Sequence, residues 1–79
     1  MKTNTLLKRI TRDPAIMSGK PVIRGMRIGV DTILSDLASG LSFTEIKDQH
    51  PMIDENDIKA CILYAEKAME ELNKLKQTA

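Results

Sequence analysis

The 79 residues carry 12 Lys and Arg against 11 Asp and Glu, with 42% hydrophobic residues and only 3% aromatic ones. That is a globular balance in a chain near the lower end of what folds alone, so a single domain spanning 1–79 is expected, one that a partner or second copy would help. One cysteine, Cys61, excludes an internal disulfide, and with His50 the only histidine the usual Cys/His metal sets are out of reach, so no metal or cofactor is expected.

The near absence of aromatics, Phe43 and Tyr64 alone, leaves a core of Ile, Leu, Val, Met and Ala and disfavours stacking on nucleic-acid bases. The start, MKTNTLLKRITRDP, lacks the apolar run of a signal peptide, and no stretch of about 20 apolar residues offers a membrane span. A soluble, cytoplasmic protein is the expectation. The formal net charge of +1 hides an asymmetry. Residues 1–29 hold seven cations (Lys2, Lys8, Arg9, Arg12, Lys20, Arg24, Arg27) against Asp13, and residues 30–79 hold five against ten carboxylates. A basic front suits an anionic partner, either a phosphate backbone or an acidic protein face.

Residues 1–7 show no clear period and are expected to stay loose until something pairs with them. Lys8–Arg12, KRITR, suits a short edge strand with charged outward positions, ended by Asp13-Pro14. Ser18-Gly19 marks a turn, Pro21–Arg24 a second strand, Gly25-Met26 a turn or bulge, and Arg27–Gly29 a return segment. Residues 8–29 are thus a basic extended segment or hairpin.

Helical spacing starts at Val30. Val30, Ile33, Leu34, Leu37, Ala38 and Leu41 recur on one face of a helix over 30–40, stopped by Gly40. Ser42-Phe43-Thr44-Glu45 matches a capping box and opens a second helix over 43–49, broken by His50-Pro51. Asp54 caps a third over 55–76, with Glu55 and Asp57 favourable near its positive end. Its apolar stripe runs through Ile58, Ile62, Ala65, Met69, Leu72 and Leu75, widened by Cys61 and Ala68, in steps resembling a short coiled-coil seam. Such a helix outruns the small body beside it, so its C-terminal half is expected to meet a second copy in a homodimer.

The second and third helices have the arrangement of a helix-turn-helix, but the start of the third, Asp54-Glu55-Asn56-Asp57, would repel phosphate, with Lys59 its one nearby cation. The stretch Gly19–Gly29, GKPVIRGMRIG, is the better binding candidate. Backbone amides freed by Gly19, Gly25 and Gly29 would approach an anion alongside Lys20, Arg24 and Arg27. The plainer alternative is that these cations are solvated residues of an edge strand. Lys8, Arg9, Arg12 and Lys59 are the further candidates for nucleic-acid contact. The P-loop spacing is absent, His50 before Pro51 reads as a turn residue, Cys61 as a small core hydrophobe, and Asp31 and Asp36 do not share a helix face. No enzyme activity is expected.

The run from Ile10 to Ala65 resembles the small prokaryotic family of domain of unknown function 433. The resemblance rests on Asp-Pro, the long GKPVIRGMRI core, a helix ending in Gly, a His-Pro break and an Asp-Ile-x-x-Ala helix. It points to Asp13, Gly19, Lys20, Pro21, Arg24, Gly25 and Arg27; Met26 and Gly29 depart from the family's usual Thr and Pro. The resemblance implies a mainly α, winged-helix-like, helix-turn-helix-related fold of three helices with a small β-hairpin. It also implies an antitoxin-like role beside a PIN-type nuclease toxin, with promoter-DNA binding as the alternative and a dimeric interaction module with neither role as a third.

Overall fold

The computed structural model describes residues 3–78. Its elements are α1 (Thr3–Leu7), β1 (Ile10–Thr11), β2 (Val22–Ile23), α2 (Val30–Ala38), α3 (Phe43–Gln49) and α4 (Glu55–Thr78). The architecture is mainly helical, four helices with one small antiparallel sheet.

α1 corrects the expectation of an unstructured start, apart from Met1 and Lys2, which lie outside the described residues. Five residues are too few to hold a helix in water unaided. α1 forms because it packs on α4, half-burying Leu6 and Leu7. So short an element shows no period in the sequence.

β1 pairs with β2 so that Ile10 faces Ile23 and Thr11 faces Val22. On its other side β2 meets the return segment: the Ile23 amide donates to the Ile28 carbonyl at 3.1 Å and the Val30 amide to the Pro21 carbonyl at 3.0 Å. Val22 and Ile23, flanked on both sides, are fully buried. The link is a tight turn in which the Met26 amide donates to the Ile23 carbonyl at 2.8 Å. Arg24 (φ 43°) and Gly25 (φ 71°) both have positive φ, the signature of a type I′ hairpin turn. Glycine adopts that backbone freely, whereas arginine gives up about 1 kcal/mol to do so.

α2 ends in a Schellman motif, with Gly40 at φ 94°, its amide donating to the Leu37 carbonyl and the Leu41 amide to the Asp36 carbonyl. α3 opens with a complete capping box. The Ser42 hydroxyl accepts from the Glu45 amide at 3.1 Å, and the Glu45 carboxylate accepts from the Ser42 amide at 3.0 Å. That bond from the Ser42 amide, assisted by the Ser42 side chain, holds the Glu45 carboxyl below the usual carboxylate range. Ser42→Ala is expected to cost about 1 kcal/mol in urea unfolding, the ordinary value of an N-cap.

Ile23, Val30, Ile33, Ile46, Ile53, Ile58 and Cys61 form the core, contributed by every element from β2 onward. Burial pushes the Cys61 thiol up to about 12, so alkylation of the native protein at pH 8 should be far slower than that of the unfolded chain.

α4 departs from the expected stripe. Its buried residues are Asp57, Ile58, Ala60 and Cys61, while Ile62 is 42% exposed. At 100° per residue, the group Asp57, Ala60, Cys61 and Tyr64 lies about a quarter-turn around the helix from the row Ile58, Ile62, Ala65, Met69 and Leu72. The helix thus turns the first group, together with Ile58 at the head of the second, to its own core, and presents the rest of the second row, from Ile62 on, beside it. Every residue from Ala68 to Lys76 is exposed, including Met69, Leu72 and Leu75.

Candidate functional site

Asp57 stands three residues before Ala60 and four before Cys61, which puts its carboxylate on the face of α4 that enters the core. It is 0% exposed, the only fully buried charged residue among those described. A carboxylate taken out of water must be paired and hydrogen-bonded, and Asp57 is both. Arg24 grips it with a two-pronged fork, Nε to Oδ1 at 3.0 Å and Nη2 to Oδ2 at 2.7 Å. Arg9 Nη1 donates to Oδ1 at 3.0 Å, and the Asp54 amide donates to Oδ2 at 2.9 Å. Asp54 returns the last bond, its Oδ1 accepting from the Asp57 amide at 2.9 Å, so the two aspartates form a reciprocal cap on α4.

The arginines extend the cluster. Arg9 Nη1 also reaches both carboxylate oxygens of Asp54 at 3.2 Å, and Arg24 Nη2 donates to the Met52 carbonyl at 3.1 Å. The Arg24 amide donates to the Arg9 carbonyl at 2.7 Å, setting the two side chains side by side. Burial by itself would push the Asp57 carboxyl up. The Arg24 fork, the Asp54 amide and Arg9 outweigh it and hold that carboxyl below the usual range, and their bonds to Asp57 raise both guanidinium values. The positive φ of Arg24 belongs to this geometry, because the hairpin turn aims its side chain at α4.

The cations picked out in the sequence therefore divide. Arg24 and Arg9, assigned above to an outside anion or nucleic acid, have an inside one. Arg12, exposed, donates through Nε to the Gly19 carbonyl at 2.9 Å, which brings it beside Lys20. Lys8, Lys20, Arg27 and Lys59 are exposed. The glycine amides proposed for anion binding are also used within the fold: that of Gly19 donates to the Ile16 carbonyl at 3.1 Å and that of Gly25 to Thr11 Oγ1 at 2.9 Å. What these glycines supply is positive φ, 80° at Gly19 and 71° at Gly25. Asp13 closes a local turn by accepting from the Ala15 amide.

The residue that sequence reasoning passed over is Asp57 as an ion-pair centre. In the sequence it is a favourable charge near a helix start, although its i, i+4 relation to Cys61 marks it as core-facing. The acidic opening of α4 is accordingly not a free repulsive surface, since two of its carboxylates are matched by two arginines.

A separate shallow cavity of about 400 Å³ is lined by Asp31, Thr32, Ser35 and Asp36 of α2. Asp36 Oδ2 faces His50 Nε2 at 3.6 Å, an ion pair when the imidazole is protonated. Among the described residues no group of three or more His, Cys, Asp or Glu is arranged to hold a metal ion. No helix among them is long and apolar enough to cross a membrane.

Fold and site define a small helical domain whose basic hairpin turn is clamped by arginine onto the buried Asp57 in the first turn of its longest helix. The chain belongs to the family described as protein of unknown function (DUF433), which matches residues 10–65 and so covers Arg24, Asp54 and Asp57 of the clamp, Arg9 lying just before it. It is 33% identical over 57 residues to the uncharacterized protein y4eO of Sinorhizobium fredii (strain NBRC 101917 / NGR234), a match covering 72% of this chain and 26% of that protein. The chain thus spans about a quarter of the length of the curated relative it matches. No solved structure matches significantly.

Proposed function

We propose that this protein is a non-enzymatic, antitoxin-like binding module that neutralises a nuclease of the PIN type. The single observation behind this reading is the division of the basic front. With Arg9 and Arg24 neutralised by Asp54 and Asp57, Lys20 and Arg27 are exposed, with Arg12 beside Lys20. Clustered carboxylates that hold a catalytic metal are a natural target for such cations, and pairing with them would block the site. No catalytic role is assigned to any residue, and the protein acts as a cytoplasmic homodimer joined through α4.

Co-purification with the product of an adjacent nuclease gene tests the reading. The double reversal Lys20→Glu/Arg27→Glu should abolish capture while circular dichroism and melting temperature stay unchanged. Unchanged capture by that folded variant would overturn it.

A second reading is a DNA-binding regulator that places α3 and α4 as a winged-helix-like helix-turn-helix. Neutralisation of Asp54 and Asp57 by arginine favours it, because the start of α4 then repels phosphate less than its sequence suggests. It requires promoter binding that weakens steeply with salt and is lost when Lys8, Arg12, Lys20 and Arg27 are neutralised.

A further inference from the structure

The C-terminal part of α4 is a structural anomaly. From Ala68 to Lys76 every residue is exposed, so this part of the helix gains little stability from burial against its own domain, and a short helical stretch with little burial is marginal in water. The same stretch continues the second apolar row, with Ile62 at 42%, Met69 at 55% and Leu72 at 51% exposure. Ile58, at the head of this row, is buried in the core, but from Ile62 onward the row turns largely to solvent, and the domain's own packing does not explain its exposed apolar residues.

Charge identifies what covers it. Residues 66–71 carry Glu66, Glu70 and Glu71 against Lys67, and residues 72–76 carry only Lys74 and Lys76. The segment is therefore net negative in its first half and net positive in its second, which is self-complementary only when two copies run head to tail. At 100° per residue, Lys76 falls on the apolar row itself. In a parallel pair the two Lys76 ammonium groups would meet across the seam. In an antiparallel pair that sets Met69 opposite Leu72, Lys76 falls opposite Ala65, whose small side chain leaves room, and beside Glu66.

We infer that two copies of this chain pair antiparallel along the Ile62, Ala65, Met69 and Leu72 face of α4, with Met69 of one copy against Leu72 of the other and Lys76 against Ala65 and Glu66. This rests on the homodimer part of the proposed function and adds the face, register and direction. The two clamped hairpin turns then sit at opposite ends of the pair, their Asp57 positions about 40 Å apart along the helix axes at 1.5 Å per residue. A module of this shape presents two separate basic surfaces, one to each of two partner molecules. The contact involves about four helical turns per copy, so the association belongs with small interfaces of micromolar strength.

Directed disulfides test it in the full chain. Ala65→Cys and Lys76→Cys are made singly, and the two proteins are mixed under mild oxidation. The antiparallel register brings these positions together, so the mixture should form a mixed disulfide dimer. Neither protein alone should crosslink, because two copies of position 65 lie about 16 Å apart along the axis, beyond the roughly 7 Å Cα separation a disulfide spans. Crosslinking of Ala65→Cys with itself would show a parallel pair and overturn the inference. Sedimentation of the unaltered protein should give a dimer that Leu72→Asp converts to a monomer whose Cys61 thiol stays protected from alkylation, the sign that the core is intact. A monomer at every concentration up to 0.5 mM (about a hundredfold above a ~5 µM Kd of the strength inferred) would overturn it too. The Lys20 and Arg27 test of nuclease capture reads separately, so loss of one proposal is visible without loss of the other.

Discussion

Replacing Asp57 by alanine is expected to lower the unfolding free energy by about 3 kcal/mol, the low end of the cost of breaking a buried ion pair by removing one partner. The low end applies because the cations left behind are not sealed in: the Arg9 and Arg24 side chains are 22% and 44% exposed and can recover water. The same substitution removes half of the α4 cap, whose ordinary contribution is about 1 kcal/mol. For a domain this small, with total stability of about 5 kcal/mol at the bottom of the usual range, that is most of the margin. Urea unfolding at pH 7 measures it directly.

The same carboxylate sets an acid limit. Its pKa is depressed in the folded state relative to the unfolded chain, so the folded protein binds fewer protons there. The stabilisation is therefore complete above the ordinary carboxylate pKa of about 4 and is lost as pH falls through the lower folded value. Wild type should lose stability steeply on acidification below about pH 4, and Asp57→Ala should show a shallower slope over the same interval. Equal slopes would mean that Asp57 is not paired as described.

Charge reversal of Arg24 is the second large effect. Arg24→Glu removes the two-pronged bond and sets a carboxylate against the buried one, so a loss of about 3–5 kcal/mol is expected, whereas Arg27→Glu at the exposed side of the same hairpin should stay within about 0.5 kcal/mol. Arg24→Gly should cost about 1 kcal/mol less than Arg24→Ala, because glycine relieves the left-handed backbone that alanine must still adopt. Arg24→Lys should recover only part of the loss, since an ammonium lacks the planar fork. This ordering has a practical consequence for function. A variant reversed at both Arg24 and Arg27 loses partner binding through loss of the fold, so only Lys20 and Arg27 report on recognition.

Much of GKPVIRGMRI is thereby explained by architecture. Pro21 offers its carbonyl to Val30, Val22 and Ile23 fill the core, Arg24 clamps α4, and Gly25 completes the turn that aims it. Lys20 and Arg27 are the exposed cations of that run that the clamp does not engage, and a partner has those two to grasp.

The chain by itself determined what depends on neighbours within about four residues. The Ser42–Glu45 box, the Gly40 stop, the His50-Pro51 break and the Asp54 cap delimit α2, α3 and the start of α4, because caps and turns are local hydrogen-bonding problems with few solutions. The aliphatic core followed from composition, and the DUF433 resemblance from GKPVIRGMRI together with the Asp-Pro, helix-Gly, His-Pro and Asp-Ile-x-x-Ala features around it. Tertiary structure alone decided where charges and faces point. Asp57 finds Arg24 and Arg9 across separations of 33 and 48 residues, and no local pattern sets that distance. The rotation of α4, which buries Cys61 and exposes Ile62, was likewise chosen by packing between two adjacent apolar faces that helical periodicity could not rank. α1, too short to show a period, exists because α4 gives it a surface. Together these contacts turn part of the basic segment into a clamp and leave Lys20 and Arg27 at the surface.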